Sequence, residues 1–257
     1  MNEQPGDALA DQIANKQVQR GGATAFDLVK SMESEFAKAL PKHVPVEQFM
    51  RTAITELRQS PELQQCSAES LLGAFLTAAR LGLEVGGPMG QFYLTPRRIK
   101  GVPSVVPIVG YRGLTELAQR SGRVGAVEAD LVREGDVFRM GYDSSRGGKY
   151  VIHEPLDHLE TREVIGVLAH AELTTGGRQV RYLPMSAVLE RKARGAAGDN
   201  GPWKTDRDAM IRKTGIRALA GDLPQSSGLA LARQVDEQVQ TFIPGQVVDM
   251  GTGEVTP

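Results

Sequence analysis

"EVIGVLAHAELTTGGRQVRYLP", residues 163–184, is two strand-like runs separated by Thr174-Thr175-Gly176-Gly177. It reads as a β-hairpin turning at Gly176-Gly177. After it the chain is helical, over 185–194, 205–220 and 228–240. Before it lie more strands. "QFYLTPRR" (91–98) alternates, and "VPSVVPIVGY" (102–111) carries Pro103 and Pro107, which suits an edge strand or a bulge. A short helix follows over 112–122, stopped by Gly122; 124–142 is two strands joined at Glu134-Gly135-Asp136, and 149–155 is another. Helices, then strands around a short helix, then helices predict an α+β fold. Its small, mostly antiparallel sheet is flanked by N- and C-terminal helices.

Residues 1–22 are polar and small and read as a flexible arm. Thr24 caps a helix whose Phe26, Val29, Met32, Phe36 and Leu40 recur at helical spacing until Pro41 stops it. A second helix starts near Pro45 and buries Phe49, Ile54 and Leu57. A third starts at Ser67, presents Leu71, Leu72, Phe75, Leu76, Ala79 and Leu83, and ends at Gly82. These helices read as scaffold or as a surface for self-association. The expected division is one core over 23–231 (helical 23–88, β-rich 89–184, helical 185–231) and an acidic C-terminal tail over 232–257.

The lone Cys66, without a His near it in sequence, reads as an incidental small side chain. It excludes an intramolecular disulfide framework and fits a reducing compartment. The N-terminus lacks the basic and apolar regions of a signal peptide, and no apolar run approaches the ~20 residues of a membrane span. A soluble, cytoplasmic protein is expected. The formal net charge of −1 hides a pattern. Segment 91–123 has six Lys and Arg against Glu116, net +5, and 178–217 has ten against four acids, net +6. Between them, 124–177 is net −5. Such blocks make one face positive while the whole stays near neutral.

No phosphate-loop motif is present, since Lys213-Thr214 sits inside a helix, so no ATP requirement is expected. His43, His153, His158 and His170 have no metal-ligand spacing; His170 reads as a structural residue on a strand. Asp130, Glu134 and Asp136 raise a metal-dependent nuclease as an alternative, but "VREGDVF" (132–138) is better explained as a turn whose charges face water. Gly110-Tyr111-Arg112-Gly113 matches the GxxG of a backbone-contacting loop, which raises a second alternative, a monomeric nucleic-acid-binding regulatory module.

Single-stranded nucleic acid is held by cations on phosphates and flat groups against bases. The first block interleaves Phe92, Tyr93 and Tyr111 with Arg97, Arg98, Lys100, Arg112 and Arg120. The second sets Tyr182 and the lone Trp203 among Arg181, Lys192, Arg194 and Lys204. On the helix after Trp203, Lys213 and Arg217 share a face one turn apart, beside Met210 and Thr214; Arg207 is off that face. Successive phosphates of an extended strand lie roughly one helical turn apart, so that face can track a backbone. The Gly-rich run 191–203 reads as a lip beside it.

"GQFYLTP" (90–96), "GYRGLTELAQRSG" (110–122), "VREGDVF" (132–138) and "GDNGPWKTDRDAMIRKTGIRALAGDLP" (198–224) occur in order, and over residues 67–226 the chain resembles the RecT family of phage single-strand annealing proteins. The resemblance implies a small sheet with a long helix. It implies no enzyme, but an ATP-independent, cofactor-free protein that oligomerises as a ring or filament on single-stranded DNA and pairs homologous strands through an annealed duplex intermediate. A phage exonuclease and the host single-strand-binding protein are the partners it implies, and magnesium is left open as a modulator. Tyr93, Tyr111, Arg112, Arg120, Trp203, Lys213, Thr214 and Arg217 match family positions. The chain departs from the pattern at Ala218 and Gly221, where relatives often carry basic residues, and in its strand prolines. Protomers packed side by side are expected to join the two basic blocks into one groove.

Overall fold

In a computed structural model, residues 23–143, 145, 148–156, 161–193, 202–241, 247–248 and 255–256 are described. The fold is α+β, and every strand ladder among the described residues is antiparallel. The chain forms two units, one up to Gly113 and again from Ala230, the other Leu114–Leu229.

The first unit opens with α1 (Ala25–Ser31) and α2 (Glu33–Ala39). Thr24 and Asp27 form a reciprocal capping box that starts α1. The single helix expected over 24–40 is broken at Met32. There φ −90° and ψ 2° leave helical values, and the Met32 side chain is buried. Val29, Met32 and Phe36 all point inward, with Phe36 against Phe49 (5.4 Å between ring centroids) and Phe75 (6.4 Å). Phe49 belongs to α3 (Val46–Gln59) and Phe75 to α4 (Ala68–Leu81), which Ser67 caps and Gly82 ends in the left-handed region.

Helix α4 backs the hairpin of β1 (Phe92–Ile99) and β2 (Val102–Val109). Lys100 and Gly101 both have positive φ, the conformation of a two-residue hairpin turn that matches strand twist. The closing pair Ile99↔Val102 fixes the alternation of bonded and non-bonded pairs along the ladder. Pro96, Pro103 and Pro107 all fall in the non-bonded pairs, so none is asked for a ladder N–H. The outward groups at these positions bond elsewhere: Ser67 N donates to Pro103 O (2.8 Å), and Val105 N donates to Ser70 Oγ (2.9 Å). Helix α5 (Tyr111–Arg120) then leads from the first unit into the second.

The second unit is a three-stranded sheet, β3 (Val124–Arg133), β6 (Val164–Leu173) and β7 (Arg178–Pro184), with β6 in the middle. The β6–β7 hairpin turns at Gly176, where φ is +89°. A second hairpin, β4 (Val137–Asp143) and β5 (Gly148–Glu154), lies on the outer face, where Phe138 meets Tyr182 (4.6 Å). The inner face is covered by α6 (Met185–Ala193) and α8 (Arg207–Leu219), with the one-turn α7 (Pro202–Thr205) between them in sequence. Helix α9 (Ser227–Thr241) ends the helical region.

Helix α8 approaches β6 most closely at Gly215. A Cβ there would stand 2.8 Å from Val167 Cγ2 and 3.4 Å from the Ala169 Cβ. A mid-helix Gly→Ala change ordinarily stabilises by about 0.5–1 kcal/mol. Here overpacking against buried Val167 dominates, and Gly215→Ala is expected to destabilise the second unit by a net ~1–2 kcal/mol. Urea unfolding followed by the emission of Trp203 measures it. In a Val167→Ala background the same change should cost less than the sum of the single effects.

Candidate nucleic-acid interface

The side of α8 that meets the sheet carries Ile211, Gly215 and Leu219, all buried. At 100° per residue, Lys213 and Arg217 fall on the opposite side, four residues and one turn apart. Both are half-buried, as are Met210 and Thr214 beside them. The Thr214 hydroxyl donates to Met210 O (2.8 Å), so it is turned back onto the helix. Arg207 and Arg212 are exposed on the flanks, and Lys204 is exposed in α7. The acids of this stretch have structural work: Asp206 accepts from Ala209 N (3.3 Å) as the helix cap, and Asp208 takes an ion pair from Arg133 (2.6 Å). Asp222, just beyond α8, pairs with Arg181 (2.9 Å).

Trp203 is half-buried and packs against the apolar core cluster of the second unit, to which Leu131, Val188 and Ile211 belong. The Lys192 ammonium lies over its ring, 5.4 Å from the centroid. Tyr182 does not share this surroundings, contrary to the sequence grouping of the two aromatics. Leu183 points to the helix-covered core, and Tyr182, its neighbour on the strand, points to the other face. There it lies across Gly166 and against Phe138, and burial raises its hydroxyl pKa. Arg194 lies outside the described residues, as does His158.

In the first unit the hairpin sorts the first block by strand parity. Phe92 is fully buried with Leu94 on the core side and is unavailable to a ligand. Tyr93 and Arg97 share the other side, Tyr93 43 % exposed and Arg97 half-buried. Burial lowers the Arg97 pKa from its ordinary value. Arg98 has the core-side parity at the open end, donating to Gly101 O (3.2 Å), and Lys100 is exposed in the turn. At the start of α5, Arg112 donates from Nε to the Tyr111 hydroxyl (3.3 Å) and from its terminal nitrogen to Pro88 O (3.3 Å). The bond to Tyr111, with Tyr93 nearby, raises the Arg112 pKa. Arg120 pairs with Glu116 one turn back (3.2 Å).

The GxxG segment is a packing device. A Cβ at Gly110 would stand 2.0 Å from Gly90 O, and one at Gly113 2.4 Å from Gln91 O. Both glycines are buried, so they let α5 dock on the chain before β1 and do not form an open phosphate loop. Asp136 corrects the expectation that the 134–136 charges face water. Its side chain is 1 % exposed and accepts from Arg162 (2.6 Å), His153 Nε2 (3.0 Å), Arg133 N (2.9 Å) and Leu156 N (3.0 Å). Burial alone would raise its pKa. The bonds from His153, the two backbone amides and Arg162 outweigh that and hold the carboxyl well below the usual aspartate range. Asp130 is exposed on the outer sheet face with Glu128, 3.5 and 3.6 Å respectively from His170 Nε2. Among the described residues no group of His, Cys, Asp or Glu is placed to hold a metal ion. Burial raises the Cys66 thiol pKa, with Glu62 adding to the effect, which disfavours the thiolate.

Cations on the outer side of a sheet-backed helix are the part by which a phosphate backbone is gripped without reading sequence. The sequence model of the RecT family matches residues 47–247. The chain is 35% identical over 266 aligned positions to Protein RecT of Escherichia coli, covering 99% of this chain and 97% of that one. It is 27% identical over 207 positions to the uncharacterized protein YqaK of Bacillus subtilis, covering 80% of this chain and 69% of that one. The chain belongs to the RecT family and is a single-strand annealing protein of DNA recombination.

Removing one partner of a buried ionic network costs roughly 3–5 kcal/mol, and Asp136→Ala is expected to destabilise the second unit by about that much. The pH dependence follows from a depressed folded-state pKa. Asp136 contributes its stability at pH values above the ordinary aspartate range and loses it as pH falls through and below that range. Urea midpoints measured across acid pH should therefore fall less steeply for Asp136→Asn than for wild type.

Proposed function

We propose that the protein anneals DNA without ATP or another cofactor, as a homo-oligomer that lays the phosphates of one strand on the α8 face of Lys213 and Arg217. The observation that carries this is the placing of two cations one turn apart on the side of α8 opposite Gly215. Thr214, Lys204, Lys192 and Trp203 border that face in sequence, and Arg181 and Arg194 extend the same basic block. In the first unit, Tyr93 with Arg97 on one hairpin face, Arg98 and Lys100 at the turn end, and Arg112 with Tyr111 supply a cationic, aromatic surface of their own; Arg120 follows on α5.

The bases stay outward and find their complement by pairing, so the protein need not read sequence. No covalent bond is made or broken, and the protein is an annealing factor, not an enzyme. The N-terminal helices supply contacts between copies in a ring or filament. A phage exonuclease supplies the single strand, and the acidic stretch after residue 232 docks a host single-strand-binding protein in the bacterial cytoplasm. Among the described residues no helix is long and apolar enough to cross a membrane. Magnesium acts by screening phosphate charge.

Complementary oligonucleotides annealed without ATP, with oligomer mass measured in parallel, test the proposal. Wild-type affinity for single-stranded DNA should fall by ~10²-fold or more between about 50 and 200 mM salt. Lys213→Ala and Arg217→Ala should each weaken binding ~3–10-fold and reduce the slope of log affinity against log salt by about 1. Either variant annealing at the wild-type rate would discredit the α8 assignment.

A further inference from the structure

Trp203 is the only tryptophan, and its surroundings differ from those of an exposed stacking platform. It leans on the apolar core of the second unit, and the Lys192 ammonium occupies the space over its ring. A nucleobase stacking there would have to displace the cation or lift the indole from the core cluster it packs against. An ammonium over an indole near solvent is a weak contact, whereas its transfer to a DNA phosphate is driven by counterion release and strengthens at low salt. Lys192 stands in the last turn of α6 and Trp203 in the first turn of α7, with exposed Lys204 next to it.

We propose that the Trp203 ring is a resting place for Lys192, which leaves the indole for a backbone phosphate when single-stranded DNA binds. Trp203 is thus a positioning residue that acts through Lys192 and does not stack on bases. The inference rests on the proposed reading of the second basic block as a phosphate-binding surface. It adds the order of events and the ligand chemistry: Lys192 responds to phosphate, not to base.

The single indole makes the event visible, because a cation leaving its ring alters its emission. The full-length protein is titrated at low salt with an oligothymidylate, with an abasic deoxyribose-phosphate oligomer, and with inorganic polyphosphate. A labelled oligothymidylate reports binding independently by anisotropy. All three ligands are expected to shift Trp203 emission in the same direction. Lys192→Met should remove that shift and weaken oligothymidylate binding ~3–10-fold with the fold intact by circular dichroism. Trp203→Leu, which keeps an apolar group on the core and removes the ring, should change the affinities for the oligothymidylate and the abasic oligomer by the same factor, because phosphate contacts are made without the indole. Emission that responds only to the base-containing ligand would overturn the inference, as would a Lys192→Met protein that responds like wild type. A loss in a folded Trp203→Leu protein confined to the base-containing ligand would overturn it too. If anisotropy shows no binding of oligothymidylate by wild type, the phosphate-surface reading itself falls, and this inference with it. Normal anisotropy with any of the earlier results removes the inference alone.

Discussion

The docking of α8 on β6 organises the second unit. Gly215 has no side chain, so the helix comes down onto Val167 and Ala169 at a distance that a Cβ would not allow. That contact uses one side of the helix for Ile211, Gly215 and Leu219. Once that side is fixed, the 100° step of the helix determines the rest. Lys213 and Arg217 fall on the far side, while Arg207 and Arg212 are exposed off that face. The cationic face is a consequence of where the backbone can approach the sheet.

Charge is sorted by the same packing. The acids close to the basic helix are engaged by backbone or by arginines from elsewhere in the unit: Asp206 by the amide of Ala209, Asp208 by Arg133, and Asp222 by Arg181. Asp136 is drawn inside by Arg162, His153 and two backbone amides, and it braces the turn between β3 and β4. Glu128 and Asp130 stand on the outer sheet face with His170. A chain with nearly balanced charge thus has these three acids beside the basic helix engaged by backbone or by other arginines. Protein RecT of Escherichia coli is similar over nearly the whole chain, so both units fall within the family likeness.

Much of the local structure was legible in the residues. Thr24 and Ser67 start helices, Gly82 and Gly122 end them, and the Gly176 turn closes the β6–β7 hairpin, because caps and turns depend on a few adjacent residues. The proline-bearing strands were legible as edge strands but not in their register. Only the pairing from Ile99↔Val102 shows that all three prolines occupy positions where no ladder N–H is required. The single helix expected over 24–40 divides at Met32, where the backbone leaves helical values although Val29, Met32 and Phe36 keep helical spacing.

The sequence by itself determined the α+β class, the order of elements, the two basic blocks and the alignment of Lys213 with Arg217. All of these follow from short-range periodicity and composition. Tertiary structure alone decided which side of each element meets the core. It buried Phe92, split Tyr182 from Trp203 across a sheet, laid Lys192 over the indole, and turned the GxxG glycines inward against Gly90 and Gln91. It also made Asp136 a buried anchor where the residues pattern as an exposed turn. The physical reason is the range of the contacts. A cap or a turn is closed by neighbours in the chain, while the partner of a buried carboxylate, ring or glycine comes from a distant segment.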